Sequence, residues 1–228
     1  MNAWEHAAEA RRRQEAGDLK AAMKSIEAAL ALDPKHVEAF HVRAHVKRDR
    51  KEYAEAIAEF ELCGEMAPGD YRHWFCRGVA RRIAGDPDGA IADFDEALLK
   101  SPNTVVCLNQ RGLTRLEQAD FDASIADYTE AIRIDPDNFE AWHDRGVAQE
   151  RRGDWEAALA DYEKAARLKP GDANAHYCLG NAYAAAGRTK EAAEQFSETL
   201  KINPRWTWAW VHRGEARGEL PHRLELLP

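Results

Sequence analysis

Large aliphatic side chains and long apolar runs are scarce in this 228-residue sequence. Leu, Ile, Val and Phe together number 40, which lies below the roughly 20% at which disorder is suspected. The chain can nevertheless fold, because its 42 alanines favour helices and let neighbouring helices approach closely. No apolar stretch approaches the roughly 20 residues that span a bilayer, so we expect no transmembrane helix.

Cysteine is scarce as well, and so is any secretory pattern. The four cysteines form no CxxC pair, which fits a reducing compartment and argues against a structural zinc site. They are Cys63, Cys76, Cys107 and Cys178. Residues 1–10 are acidic at Glu5 and Glu9 and lack the basic start and apolar stretch of a signal peptide. We therefore expect a cytoplasmic protein.

Positive charge is outnumbered, with 32 Lys and Arg against 40 Asp and Glu, which gives a formal net charge of −8. Such a molecule repels phosphate backbones and anionic membrane surfaces, so we expect neither a nucleic-acid partner nor a membrane partner. The basic run Arg11–Arg13 stands beside Glu9 and Glu15 and is interpreted as a solvated helix face.

A proline recurs every 34 residues without an insertion or deletion. These prolines are Pro34, Pro68, Pro102, Pro136, Pro170 and Pro204. The interval divides the chain into repeats 3–36, 37–70, 71–104, 105–138, 139–172 and 173–206, followed by a partial seventh from Thr207. The fourth residue of a repeat is usually large, as in Phe40, Trp74, Leu108, Trp142 and Trp210. The eighth is always Ala or Gly, and the twenty-fourth is Ile, Phe or Tyr.

These columns resemble the tetratricopeptide repeat over essentially the whole chain. The departures lie at position eleven, where only Tyr183 keeps the family aromatic, and at position seven, where arginine replaces the usual Leu. The arginines are Arg43, Arg77, Arg111, Arg145 and Arg213. The resemblance implies an all-α, right-handed superhelical solenoid of antiparallel helix pairs. It would form one domain over 1–228, with six units and a capping helix and tail over 207–228.

The spacing of the columns predicts two amphipathic helices in each repeat. Positions four, eight and eleven share one helical face, and positions twenty, twenty-four and twenty-seven share another. Gly-Asp pairs such as Gly17-Asp18 and Gly153-Asp154 separate the two helices, and the repeat proline stops the second. Polar residues before the next helix are candidate N-caps: Asp70, Thr104, Asn138 and Asp172.

The one candidate metal pattern lies in the first helix of the second repeat. His41 and His45 are spaced to share an ion, and Asp49 lies one turn further on. No other residue completes a ligand set, because His143, at the same repeat position as His41, lies three repeats away. We therefore expect a solvated polar surface, no metal and no cofactor. A metal-dependent enzyme using His41 and His45 is the weaker alternative. Nucleophile and nucleotide patterns such as GxSxG, GxGxxG and GxxxxGK are absent, which favours a non-enzymatic protein.

The family resemblance implies that a peptide or helix of a partner binds the concave face formed by the first helices. Family ligand contacts come mostly from positions two, five, six, nine, twelve and thirteen. In the third and fourth repeats many of these positions are apolar, and arginines border them. The predicted partner-binding residues are Arg48, Arg72, Phe75, Val79, Arg82, Ile83, Val106, Asn109, Leu113 and Leu116. They indicate a ligand with apolar anchors and acidic residues. For Val79 and Leu113, burial between neighbouring first helices is the competing interpretation.

A cluster of tryptophans follows the sixth repeat, at Trp206, Trp208 and Trp210. Arg213, Glu215 and Arg217 make the outer side of a capping helix polar, whereas an indole left in water favours association. We expect a monomer, and an end-to-end dimer through these tryptophans is the alternative.

Overall fold

The computed structural model describes residues 1–219, so the end of the predicted tail lies outside the described residues. Residues 1–219 form thirteen α-helices and no strand. The helices of the first three repeats are α1 Ala3–Glu15, α2 Leu19–Leu32, α3 Val37–Asp49, α4 Tyr53–Met66, α5 Tyr71–Ala84 and α6 Pro87–Lys100. Those of the next three are α7 Val105–Glu117, α8 Phe121–Ile134, α9 Phe139–Arg152, α10 Trp155–Leu168, α11 Ala173–Ala185 and α12 Thr189–Ile202. The predicted capping helix is α13, Thr207–Ala216.

The contacts between helices group into two compact units, Met1–Thr114 and Arg115–Pro228. In the first unit each helix from α1 to α5 packs on the next, and α1 also contacts α3. In the second unit the same succession runs from α8 to α13. None of the described helices, within residues 1–219, is long and apolar enough to cross a membrane.

The connections between paired helices end the first helix with one residue in the left-handed region. Gly85 and Gly153 have φ values of 87° and 94°, a conformation that glycine adopts without a Cβ clash. Lys51 and Ala119 take it in the second and fourth repeats, at 66° and 61°. These two connections are therefore strained relative to their glycine counterparts.

The helix N-termini are capped largely as the sequence predicts. Asp70 accepts a hydrogen bond from Arg72 N at 3.0 Å, Asn138 one from Ala141 N at 2.9 Å, and Asp172 one from Ala175 N at 2.9 Å. The hydroxyl of Thr104 donates instead to the carbonyl of Ser101 at 2.8 Å. The starts of α5, α9 and α11 are thus fixed by side chains at the repeat boundary.

The small residue at position eight makes room for the ring at position twenty-four. A Cβ atom added at Gly78 would lie 2.8 Å from Phe94, at Gly146 2.8 Å from Tyr162, and at Gly180 2.6 Å from Phe196. These separations are shorter than real Cβ contacts, so the ring of the second helix lies directly on the backbone of the first. The three rings are at most 1% exposed.

In the second, third and fifth repeats, the arginine at position seven forms an ion pair within its own repeat. Arg43 contacts Glu59 at 2.8 Å, Arg77 contacts Asp93 at 2.6 Å, and Arg145 contacts Asp161 at 2.7 Å. Each pair joins positions seven and twenty-three, 16 residues apart. The departure from the family leucine is therefore matched by an acid on the second helix of the same repeat.

Candidate functional site

Two of the predicted partner-binding residues are exposed large apolar side chains of the first unit. Ile83, near the end of α5, is 46% exposed, and Val106, near the start of α7, is 52% exposed. Burying a branched aliphatic side chain contributes about 1.5–3 kcal/mol of favourable free energy, which an exposed side chain does not gain. Both residues are therefore available to an external apolar group.

Phe75, Val79 and Leu113 are half-buried. Phe75 packs against the core of the second and third repeats, and its ring centroid lies 6.0 Å from that of Phe94. It presents part of the ring to solvent while the rest supports the helix pair. The half-burial of Val79 and Leu113 agrees in part with the competing interpretation.

Leu116 is 6% exposed, which corrects the expectation that it lines an open groove. Position twelve holds half-buried arginines in the second and third repeats, at Arg48 and Arg82. A leucine at the same position stabilises the fold by turning inward, because it carries no charge that must stay solvated. Leu116 is a core residue and cannot serve as a surface anchor.

The bordering arginines are held by neighbouring carboxylates. Arg72 donates from Nε to Asp70 at 2.9 Å and from Nη2 at 2.6 Å, and Arg48 donates to Asp49 at 2.9 Å. Burial raises the pKa of Asp70, but the hydrogen bonds from Arg72 outweigh it and hold that pKa below its usual value. Asn109 is half-buried on α7.

The histidines of α3 are not the solvated surface that the sequence predicts. His41 is 3% exposed, and its Nε2 lies 3.1 Å from His45 Nε2. Its other ring nitrogen lies 2.9 Å from Nδ1 of His73, a residue of α5. Cys76, also on α5, places its Sγ 3.6 Å from His45 Nε2 and 4.0 Å from His41 Nε2.

Asp49 does not join this group. Its carboxylate accepts hydrogen bonds from Gln14 at 2.6 Å and from Arg48 at 2.9 Å. Beyond α3, sequence reasoning considered only His143, three repeats away, and missed His73 and Cys76, which lie 32 and 35 residues after His41. Because one repeat is 34 residues long, pairing histidines with residues one repeat further on would have found them.

Burial determines the protonation of this cluster. It lowers the pKa of His41 to about 2, assisted by the charges of His45 and His73, and lowers that of His45 to about 4, assisted by Arg48. It raises the pKa of the Cys76 thiol to about 12. At neutral pH these two imidazoles are therefore uncharged, and the thiol keeps its proton.

The tryptophans after the sixth repeat differ in exposure. Trp208 is 46% and Trp210 51% exposed, whereas Trp206 is half-buried with its ring 5.1 Å from that of Tyr177. Trp210 donates from its indole to the carbonyl of Pro204 at 3.0 Å. At the other end of the chain, Trp4 of α1 is 69% exposed.

A family model described as the tetratricopeptide repeat matches residues 7–64, 50–103, 109–173 and 143–205, which is most of the chain. The chain belongs to the tetratricopeptide repeat (TPR) family. No curated protein matches the sequence.

Several solved TPR-like structures are similar to this TPR protein. PilW, described as a type IV pilus biogenesis factor, is 20% identical with a TM-score of 0.80, over 92% of this chain and 97% of that chain. MamA from Desulfovibrio magneticus RS-1 is 19% identical with a TM-score of 0.68, over 75% and 97%. YrrB is 17% identical with a TM-score of 0.67, over 86% and 98%. At these identities the likeness is one of fold.

Proposed function

We propose that this TPR protein is a non-enzymatic scaffold that binds a peptide segment of a partner protein through the first helices of its third and fourth repeats. The exposure of Ile83 and Val106 carries the proposal. They stand at positions thirteen and two, which are among the ligand-contact positions of the family. Phe75, half-buried at position five, adds part of an aromatic face. YrrB, one of the similar structures, is described as a TPR protein with a peptide-binding site.

The ligand we propose has one or two apolar anchors with acidic residues beside them. Arg72 keeps 46% of its side chain exposed, and its guanidinium is held in place by Asp70. Burial is the main cause of the lowered pKa values of His41 and His45, and the charges of Arg11, Arg48 and Arg72 contribute to them, while Asp49 acts against them at His45. An arginine beside an apolar surface can pair with a carboxylate of the ligand and set its orientation.

The proposed scaffold works in a reducing compartment, and we place it in the cytoplasm. All four cysteines are free, and three of them are buried. A free thiol inside a helix pair is compatible with a compartment that keeps cysteine reduced.

A photocrosslinking experiment tests which face holds the ligand. The full chain is first used to select ligands from a displayed library of random peptides, and a photoreactive amino acid then replaces Val106 or Leu99. Leu99 is the matched control, since it is 75% exposed but lies on α6, a second helix. We expect the selected peptide to crosslink from position 106 and not from 99. Crosslinking from 99 alone would place the ligand on the second helices.

Self-association is the second candidate function, because both terminal helices expose indole rings. Trp4 of α1 is 69% exposed, and Trp208 and Trp210 of α13 are 46% and 51% exposed. A contact between α1 of one copy and α13 of another is heterologous and would build open-ended oligomers.

A further inference from the structure

We propose that His41, His45 and Cys76 form a tetrahedral binding site for a borderline-soft transition-metal ion of the zinc class. From the sequence we expected no metal, because α3 alone supplies only two imidazoles at the required spacing. The packing of α5 on the second repeat supplies the third ligand. Two imidazole nitrogens and one thiolate sulfur are donors that Zn²⁺ accepts in proteins.

The distances between the donor atoms match the edges of a coordination tetrahedron. Metal–nitrogen bonds of about 2.05 Å and metal–sulfur bonds of about 2.3 Å predict N···N edges of about 3.3 Å and N···S edges of about 3.6 Å. The two imidazole Nε2 atoms, of His41 and His45, are 3.1 Å apart. Cys76 Sγ is 3.6 Å from one and 4.0 Å from the other. Shifts of a few tenths of an ångström would therefore accommodate an ion.

A second layer of side chains orients the central imidazole. His41 binds the ion through Nε2, so its proton lies on Nδ1 and is donated to Nδ1 of His73, 2.9 Å away. His73 is 1% exposed, and its Nε2 has no hydrogen-bond partner among the described residues. That nitrogen lies 3.6 Å from a carboxylate oxygen of Asp70. A hydrogen bond donated by the second ring nitrogen of a metal-bound histidine fixes its tautomer, and here the acceptor is His73.

Packing against Phe60 restricts the movement of the two imidazole rings. The ring centroid of Phe60 lies 5.4 Å from that of His41 and 5.2 Å from that of His45, edge-on to both. His41 and His45 are themselves 4.7 Å apart between centroids. Because the rings are packed in place before an ion arrives, binding requires little further ordering of these side chains.

A competing assignment uses the opposite side of His41, where His73 and Cys63 also lie within ligand range. There the two imidazole nitrogens are 2.9 Å apart, which suits a hydrogen bond better than a coordination edge. Cys63 already contacts the carbonyl of Val37 at 3.8 Å. We therefore place the ion on the side of His45 and Cys76.

The group supplies three protein ligands within the described residues. A water molecule completes the tetrahedron, as in zinc sites with an open position. Cys76 binds as the thiolate and releases its proton to solvent, so a dication leaves the site with one net positive charge.

Titration with Co²⁺ tests the site in the full chain after removal of metals with a chelator under reducing conditions. We expect one equivalent of Co²⁺ to give a thiolate-to-cobalt charge-transfer band and the intense visible bands of a tetrahedral ion, and Zn²⁺ to displace it. Cys76→Ser should abolish the charge-transfer band, and His45→Gln should weaken binding at least tenfold. Cys178→Ser is the control and should bind normally, because this half-buried cysteine lies in the second unit.

The proposal is overturned if the wild-type chain gives no such bands. It is also overturned if the bands survive Cys76→Ser and disappear in Cys63→Ser, which would place the ion on the opposite side of His41. Far-ultraviolet circular dichroism of each metal-free variant verifies folding. If Cys76→Ser does not fold, His45→Gln decides, since this half-buried position tolerates a polar replacement and unchanged Co²⁺ affinity would contradict the assignment.

Discussion

Arg77 and Asp93 form a buried ion pair between the two helices of the third repeat, with 2.6 Å between Nη2 and Oδ1 and side chains that are 9% and 2% exposed. Arg81 adds a second contact to the same carboxylate at 3.0 Å. An acid stands at position twenty-three in every full repeat that has arginine at position seven. The sixth repeat has Leu179 and Gln195 at these positions instead.

Removing one partner of this buried pair should destabilise the protein, and replacing both partners should restore most of the stability. Asp93→Ala should lower the free energy of unfolding by about 3–5 kcal/mol, because the buried Arg77 keeps only its longer contact with the exposed carboxylate of Glu61, at 3.3 Å. Arg77→Leu combined with Asp93→Gln copies the sixth repeat and should recover most of that loss, since removing both charges together leaves no arginine buried beside a missing carboxylate. Urea denaturation of the full chain measures both. A double variant as unstable as Asp93→Ala would contradict this account.

The close contact of Gly180 with Phe196 predicts that a larger residue at position 180 overpacks the helix pair and destabilises it. Gly180→Ala places a Cβ 2.6 Å from the ring, so we expect a loss of about 1–3 kcal/mol in the free energy of unfolding. Adding Phe196→Ile should restore part of it, because the first repeat pairs Ala10 with Ile26 at the same positions. Thermal unfolding followed by circular dichroism provides the comparison. Equal stability of Gly180→Ala and wild type would show that the helices can separate freely.

The helix pairs and their register could be predicted because they depend on residues that are close in the sequence. Spacing and capping identify where each helix begins, and the column of small residues identifies the packed face. The grouping of His41 with Cys76 could not be read along one helix, because the two residues belong to different repeats. The burial of Leu116 was missed because register gives the position of a residue and not the direction in which its side chain turns.

The oligomeric state separates the two candidate functions. We expect sedimentation velocity to give a monomer mass that is independent of concentration through the micromolar range. A mass that rises with concentration, falls back in Trp208→Ser and is unaffected by Trp155→Ser would favour self-association. Trp155 is the control because it is 37% exposed but lies on α10, away from the chain ends.

The proposed metal site predicts a stability increase that depends on its ligands. Zn²⁺ at 100 times its dissociation constant should stabilise the full chain by about 2.7 kcal/mol, since an ion that binds only the folded state shifts the folding equilibrium. The melting temperature should rise with Zn²⁺ and return to its starting value with chelator. In His45→Gln the rise should shrink, and in Cys178→Ser it should persist. An equal rise in wild type and His45→Gln would contradict binding at this cluster.

The binding surface itself is tested most directly by the affinity of a selected peptide for matched variants. Ile83→Asp combined with Val106→Asp places two charges at exposed positions, where the fold should tolerate them, while Leu99→Asp places one on an exposed second-helix position. We predict that isothermal titration calorimetry will show binding weakened about 10- to 100-fold in the double variant, equivalent to about 1.4–2.8 kcal/mol, and unchanged in Leu99→Asp. Normal affinity in the double variant, or a loss in Leu99→Asp instead, would contradict a partner-binding surface on the first helices of the third and fourth repeats.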